Sequence, residues 1–221
     1  MAQKPRLVSS DVAGFACAKV QEAWSAPVLF LMSAAADQVP VKQANREAVE
    51  PDGTVRSMDE GVEKGLSYVA ELGKETSNAI FRAAESASPL AVSSLDQEAG
   101  TLHWGTRGRE KLHPRRELSH VQDGDISLPV QVLRIGDLAL VGEKPEVCAV
   151  TEEALLAASP YPHTILICMV NGGFKYMPDK NSYDRITWEA QSAGLLPGAA
   201  EAFVRLAQQL LCRMQTHQGV D

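Results

Sequence analysis

The sequence predicts an α/β fold with a mixed sheet and helices packed on it. Short apolar runs typical of strands alternate along the chain with longer segments of helical periodicity. Two predicted helices, 12–24 and 147–158, each adjoin a predicted strand, and such neighbours pack as layers of helix on sheet. The chain has 221 residues, 45% of them hydrophobic, which is enough for one substantial core. We therefore expect a single domain over residues 1–221.

The first part of the chain is expected to contain one strand between two helices. A helix is predicted over 12–24, and the short apolar run 28–32, closed by small residues, predicts a buried strand. Residues 38–56 are polar with interspersed proline and glycine, so we expect a loop there. An apolar stripe at helical spacing predicts a long amphipathic helix over 58–87, which can bend at Gly73.

The middle of the chain is the least regular part. A strand is predicted over 90–94, and a long polar loop is predicted over 96–125. Loops of that length in compact domains are usually functional or mobile. Beyond the loop, the apolar runs 127–134 and 138–141 predict a hairpin, because the glycine and aspartate between them suit a tight reversal.

The last part of the chain contains three predicted elements. A helix over 147–158 and a strand over 164–170 follow the hairpin, and an amphipathic helix is expected over 199–216. The turns after the second hairpin strand and after strand 164–170 carry oxygen-bearing side chains, a carboxylate and a phenol. Sites in α/β sheets lie at the ends of strands, so these two turns are expected to converge on a site.

Glu146 and Tyr176 are the two candidate site residues in these turns, and both also have an ordinary structural interpretation. A carboxylate at the start of a helix is stabilised by the helix dipole, so Glu146 is also a typical helix-start residue. The ring of Tyr176 is a large apolar body that can fill the groove left by Gly172 and Gly173. The residues alone leave both alternatives open.

Two blocks of the chain contain an ordered set of short motifs. The motifs are LVSSDVAGFA (7–16), VLFLMSAAADQVP (28–40), GDLALVG (136–142), the Pro145-Glu146 turn, NGGFKY (171–176), Tyr183 and Trp188-Glu189. Their order and spacing resemble the neutral/alkaline (non-lysosomal) ceramidase family, in the C-terminal part of its catalytic domain. The resemblance covers most of residues 7–205 and is loose over about 45–125.

The resemblance implies a zinc-dependent amidohydrolase that cleaves the N-acyl amide of a ceramide-like lipid. In that family two histidines, a glutamate and a tyrosine hold the zinc. The glutamate is matched by Glu146 and the tyrosine by Tyr176, whereas the segments that bear the histidines would precede Leu7. The resemblance therefore implies a partial version of a larger catalytic domain, inactive alone, to which a second polypeptide would supply the missing half and both histidines.

One further position departs from the family. Characterised ceramidases have the segment Gly-Asp-Val-Ser-Pro, with a serine proposed to act in catalysis, and the matched position in this chain is Val39. Valine has no hydroxyl, so a serine-dependent step is excluded at that position. Zinc-activated water could perform the hydrolysis without a serine. The catalytic residues therefore stay unassigned.

Two alternatives to a site completed by another chain remain. The chain could be a non-catalytic, degenerate remnant or an interaction module with the same fold. It could also have a rebuilt metal site that uses a local residue such as His163 or Asp37. None of the five histidines forms the short-spaced pair that is typical of a zinc site.

The composition indicates which kinds of partner and which cellular compartment are expected for this protein. The net charge of −7 argues against a nucleic-acid partner, and the basic cluster 107–116 is interpreted as a solvated loop. The four cysteines are scattered, which fits free thiols in a reducing compartment. The N-terminus has no signal-peptide pattern, and the longest apolar run, 26–32, is too short for a transmembrane segment. We therefore expect a cytoplasmic protein.

Overall fold

The computed structural model describes most of the chain and divides it into two compact units. The described residues are 8–52, 54–90, 92, 94–108, 118 and 120–216. Unit 1 comprises 1–30 and 40–89, and unit 2 comprises 31–39 and 90–221. The sequence predicted one domain over 1–221 and did not indicate this division.

Unit 1 consists of two helices and a hairpin. Its elements are α1 (Asp11–Trp24), β1 (Asn45–Val49), β2 (Val55–Asp59) and α2 (Gly61–Glu85). The two helices match the predicted ones, and they pack closely where Gly73 of α2 faces Phe15 of α1, since a Cβ at Gly73 would lie 2.5 Å from the Phe15 Cδ1.

The hairpin in unit 1 corrects the loop that was predicted over 38–56. β1 and β2 pair antiparallel, from Asn45 opposite Asp59 to Val49 opposite Val55. The described residues of β2 are exposed, apart from one of intermediate exposure. A strand pair that is exposed needs no apolar face, and for this reason its polar sequence was interpreted as a loop.

Unit 2 contains the main sheet and the remaining helices. In chain order its elements are β3 (Leu95–Arg107), β4 (Gln122–Ile135), β5 (Leu138–Glu143), β6 (Glu146–Val147), α3 (Ala149–Ala158), β7 (His163–Ile167), β8 (Tyr176–Met177), α4 (Lys180–Asp184), α5 (Trp188–Ser192) and α6 (Ala199–Thr216). The main sheet has the order β3-β4-β5-β7. β3, β4 and β5 pair antiparallel, whereas β5 and β7 pair parallel, so the predicted mixed α/β sheet is confirmed.

The core of unit 2 lies on one face of this sheet. Alternate residues of β4 and β5, among them Val130, Val132 and Val141, are buried, as expected when one face of each strand meets the core. α6 packs on β3 and β4, and its Phe203 and Leu210 are fully buried in the same cluster. The helix predicted over 199–216 and the hairpin predicted around Gly136 are confirmed.

Two further predictions, a loop over 96–125 and a strand over 28–32, are wrong. Most of 96–125, predicted as a long loop, belongs to β3 and β4, which pair from Leu95 opposite Ile135 to Arg107 opposite Gln122. β3 is largely exposed along one side, and its polar residues concealed a strand that neighbours β4. The run 28–32, predicted as a buried strand, forms no strand, and Leu29 and Leu31 are 86% and 50% exposed.

The remaining boundaries shift by a few residues. α3 begins at Ala149 rather than at 147, and β7 covers His163–Ile167 rather than 164–170. The strand predicted over 90–94 includes positions outside the described residues, and β3 begins only at Leu95. No helix in the described part of the chain has the length and apolar character needed to cross a bilayer.

Candidate functional site

Glu146 and Tyr176 lie directly opposite each other in the structure. β6 and β8 form a parallel pair in which Glu146 is the register partner of Tyr176 and Val147 that of Met177. The Glu146 N–H donates to the Lys175 carbonyl over 2.7 Å. Register partners in parallel strands extend to the same side of the pair, so the two side chains leave the same face of it. Both side chains are half-buried.

The position of this pair follows from the two strands that precede it. β6 comes after the carboxyl end of β5, and β8 comes after the loop that follows the carboxyl end of β7, while β5 and β7 are parallel neighbours in the sheet. Polar groups at the carboxyl ends of parallel strands form the usual site of an α/β sheet. The expectation that the two turns converge at strand ends agrees with this geometry.

The loop between β7 and β8 reverses the direction of the chain through residues with positive φ. Asn171, Gly172 and Lys175 have φ of 58°, 108° and 57°, in the left-handed region that reverses the direction of a chain. The Val170 N–H donates to the Glu143 carbonyl over 2.9 Å, which fixes the start of the loop to the end of β5. The Asn-Gly-Gly motif thus places Tyr176 beside β6.

Glu146 precedes α3 instead of opening it, which corrects the helix-start interpretation. Cys148 is the N-terminal cap residue of α3, and the Ala149 N–H donates over 3.0 Å to the Asp37 Oδ1. A side-chain acceptor at a helix N-terminus satisfies an otherwise unpaired backbone N–H. The Asp37 carboxylate therefore caps α3, and this contact explains its position without a metal.

His163 lies at the wrong end of the sheet to join the pair. It is opposite Leu138 at the first register position of the β5–β7 pair, whereas Ile167 is opposite Gly142 at the last. Four residues of strand span about 13 Å at roughly 3.3 Å per residue. His163 is therefore remote from Glu146.

Of the other histidines, His103 and His120 lie within the described residues, and His113 and His217 fall outside them. The His103 Nδ1 is 2.9 Å from the Ser127 hydroxyl, and the His120 ring lies 6.3 Å from the ring of Tyr183. Within the described ranges, no group of three histidine, cysteine, aspartate or glutamate side chains is arranged to hold a metal ion.

Glu143 is a residue that the sequence analysis missed. Its side chain is 1% exposed at the end of β5, and neither carboxylate oxygen accepts an N–H or O–H hydrogen bond from the described residues. Burial raises the pKa of this carboxyl well above its ordinary value, a hydrogen bond from the Cys168 thiol opposes the rise, and the charge of Glu146 adds to it. A carboxylate that ends an apolar strand run is the sequence signal that could have identified it.

The Tyr176 side chain packs against a small apolar cluster. Tyr183, Ala190 and Ala193 are buried together, and the partly buried Tyr176 ring packs against them. Val39, at the position matched to the family serine, is 75% exposed, so its side chain has no core function. The segment that carries Val39 is nevertheless anchored, because the Ala36 N–H donates to the Val147 carbonyl over 3.1 Å.

The donor set fits a zinc site in type but not in number. Glu146 and Tyr176 offer a carboxylate and a phenol from opposite register positions, and Glu143 adds a buried carboxyl whose oxygens accept no N–H or O–H hydrogen bond from the described residues. Catalytic zinc normally has three protein ligands and an open position for water. Glu146 and Tyr176 fall short of that number, so no reaction step is assigned to the pair alone.

Two solved structures share this fold. Neutral ceramidase from Pseudomonas aeruginosa matches with a TM-score of 0.72 and 16% identity, over 96% of this chain and 42% of that chain. A ceramidase complexed with C2 matches with a TM-score of 0.62 and 14% identity, over 96% of this chain and 43% of that chain. No family model and no curated protein matches the sequence. The chain therefore has a ceramidase-like fold and spans less than half the length of these two proteins.

Proposed function

We propose that the chain is a ceramidase-like, zinc-dependent amidohydrolase domain that cleaves an N-acyl amide of a ceramide-like lipid and that is incomplete and inactive alone. The observation that carries the proposal is the Glu146–Tyr176 register pair, which lies at the carboxyl ends of two parallel strands in a ceramidase-like fold. These are the same two residues that the sequence resemblance matched to the glutamate and tyrosine ligands of zinc.

The side chains of this pair have the chemistry that the proposal requires. The Glu146 carboxylate would supply an anionic oxygen ligand, and Tyr176 would supply its phenol oxygen. The Tyr176 ring packs against the cluster of Tyr183, Ala190 and Ala193, which fixes its position. A zinc ion held there would supply a Lewis acid for an amide carbonyl and would lower the pKa of a bound water to about 7. Glu143 lies three positions before Glu146 and would either join the ligands or hold a proton beside them.

Exposed apolar side chains support the proposal that another polypeptide completes the domain. β7 is an edge strand, and Ile165 and Met169 are 41% and 43% exposed. The Cys168 N–H donates to the Met32 carbonyl over 2.8 Å, and the neighbouring Leu31 is 50% exposed. Parallel strands are normally covered on both faces. The exposed apolar side chains at β7 are therefore a suitable surface for the polypeptide that would bring the two histidines.

The alternative is a non-catalytic remnant or interaction module with the same fold. It is favoured by Val39, which lacks the hydroxyl of the family serine, and by the absence, within the described ranges, of any group of three histidine, cysteine, aspartate or glutamate side chains that could hold a metal. The third possibility, a rebuilt site with His163 or Asp37, is disfavoured by the remote position of His163 and the capping contact of Asp37.

Zinc affinity in the presence of imidazole distinguishes these functions. Imidazole replaces the two absent histidine side chains, and the affinity of the full, tag-free chain is measured by competition with a chromogenic chelator. We expect no stoichiometric zinc in the dialysed chain alone and a gain in affinity of about ten-fold or more with imidazole, because zinc affinity depends on ligand number and geometry. Assays on N-acyl lipids then test hydrolysis under the same conditions.

Matched variants identify the ligands. Glu146→Gln and Tyr176→Phe should abolish the gain, whereas Glu153→Gln on the exposed side of α3 should leave it unchanged. If imidazole does not improve zinc binding by the parent chain, the zinc site is refuted and the non-catalytic alternative stands. If Glu143→Gln abolishes the gain and Glu146→Gln does not, the carboxylate ligand is Glu143.

A further inference from the structure

Arg107, at the end of β3, is a buried cation that contacts a distant segment of unit 2. Its side chain is 4% exposed. The Nε donates to the Ala193 carbonyl over 3.2 Å, and the guanidinium also donates to the carbonyls of Ala190 and, over 3.4 Å, Gln191. The basic sequence 107–116 was interpreted as a solvated loop, but Arg107 is buried at the end of a strand, which corrects that interpretation for this residue.

These contacts fix the end of α5 to the end of β3. The last carbonyls of a helix have no partner within the helix, and a guanidinium has several donors in a planar fork that can satisfy more than one of them. The backbone adds a second attachment. The Arg107 N–H donates to the Gly194 carbonyl over 3.0 Å, and the Leu196 N–H donates to the Gly105 carbonyl over the same distance. The segment after α5 is thus held by both side chain and main chain.

The guanidinium also contacts Tyr183. It lies over the Tyr183 ring, 5.6 Å from its centre, at a distance typical of a cation–π interaction. The Tyr183 hydroxyl donates to the Leu195 carbonyl over 2.7 Å, so both ends of this side chain are fixed. Arg107 therefore connects α5 and Tyr183, the two parts of the cluster on which Tyr176 packs.

We infer that Arg107 is a positioning residue for the Tyr176 phenol. Arg107 holds the carbonyls of Ala190 and Ala193 and the ring of Tyr183, and these three residues form the surface behind the Tyr176 ring. A site side chain keeps its geometry only when the side chains around it are themselves fixed. The inference rests on the proposed function for the use of Tyr176 as a ligand, but the coupling between Arg107 and Tyr176 is testable without any metal.

Fluorine NMR of the full chain, labelled with 3-fluorotyrosine and free of metal, measures this coupling. Each resonance is assigned by a tyrosine-to-phenylalanine variant, and the four tyrosines are Tyr68, Tyr161, Tyr176 and Tyr183. In Arg107→Met we expect the resonances of Tyr176 and Tyr183 to shift while those of Tyr68 and Tyr161 stay. The Glu146 amide, bonded to the Lys175 carbonyl, should exchange its hydrogen about ten-fold faster, because local opening becomes easier.

Arg134→Met is the matched control. Arg134 is also a buried arginine of unit 2, 2% exposed, and it donates to the Ser94 hydroxyl over 2.6 Å and to Asp96. This variant should leave the Tyr176 resonance in place. An equal shift of Tyr176 in both variants would show a general loosening of the unit and would overturn the inference.

A second substitution keeps the inference testable if Arg107→Met does not fold. Arg107→Lys retains a cation, but a single ammonium lacks the fork that reaches several carbonyls, so the Tyr176 resonance should move in the same direction by a smaller amount. A Tyr176 resonance that stays in place in a folded variant, while that of Tyr183 shifts, would also overturn the inference. Because no metal is present, failure of the zinc proposal leaves this result unaffected.

Discussion

Replacement of Glu143 by glutamine is expected to make the chain more stable at neutral pH. The Glu143 side chain is 1% exposed, and its oxygens have no N–H or O–H donor among the described residues. Keeping a buried carboxyl protonated above its ordinary pKa costs about 1.4 kcal/mol of folding free energy for each pH unit. Glutamine has nearly the same shape and no charge. We therefore expect the free energy of unfolding to rise by about 1–3 kcal/mol, or roughly 2–4 °C in Tm for each kcal/mol.

The pH dependence of this gain follows from the raised pKa of Glu143. Burial is the main cause of the rise, the Cys168 thiol opposes it, and the Glu146 charge adds to it. Below the ordinary pKa of 4.5, Glu143 is protonated in both the folded and the unfolded chain and carries no penalty. As the pH rises from there, the unfolded chain releases the proton first, so the parent loses stability until the folded pKa is passed.

Urea unfolding of the parent and Glu143→Gln, followed by circular dichroism between about pH 4 and pH 8, measures the difference directly. The two stability curves should meet at the acidic end and separate as the pH rises. Glu146→Gln is the control, because this half-buried carboxylate should give a much smaller gain. Failure of Glu143→Gln to stabilise the chain at the alkaline end, or an equal gain at both ends, would show that burial of the Glu143 carboxyl does not set the pH dependence of stability.

Two further predictions concern packing and thiol chemistry. In Gly73→Ala the new Cβ would lie 2.8 Å from the Phe15 Cβ, so an overpacking cost of about 1–3 kcal/mol outweighs a helix-propensity gain of about 1 kcal/mol and the chain loses stability. In Gly65→Ala the atom nearest to the new Cβ is 3.5 Å away, so stability should rise by about 0.5–1 kcal/mol. Thermal unfolding of both variants measures these changes, and Tm shifts of the same sign in the two variants would contradict the prediction. Burial raises the pKa of the Cys168 thiol to about 12, so a thiol reagent near neutral pH should modify the exposed Cys212 first. Mass-spectrometric mapping that finds Cys168 labelled as fast as Cys212 in the folded chain would refute this.

Local patterns predicted those elements whose stability depends on one apolar stripe or one turn. In the helix over 199–216, apolar residues recur every three or four positions and form one face. In the hairpin, Gly136 lies at the turn and has a φ of 59°. Elements that depend on distant partners were missed. β3 is a strand because it pairs with β4 over its whole length, although its own residues are mostly polar. The run 28–32 has the sequence of a buried strand, but it pairs with none of the strands that the described residues form.

The candidate site shows the same division between local and distant causes. Glu146 and Tyr176 could be found because each follows a predicted strand, but their direct opposition depends on the left-handed backbone at Asn171 and Lys175. Glu143 was missed because its burial depends on which face of β5 meets the core. Arg107 was missed because its partners are carbonyls more than eighty residues away, which no local pattern reveals.

The anchoring of the segment around Asp37 indicates which part of the proposed site this chain retains. The Ala36 N–H bonds to the carbonyl of Val147, which directly follows Glu146, and Asp37 caps the helix that begins two residues later. The segment with the position matched to the family serine is therefore held against the strand of the carboxylate, although Val39 has no hydroxyl. The described residues thus bring the Val39 segment to the strand of Glu146, and Glu146 opposite Tyr176, whereas no group of three histidine, cysteine, aspartate or glutamate side chains that could hold a metal occurs among them. For that reason, added imidazole tests the proposed site more directly than restoring a serine would.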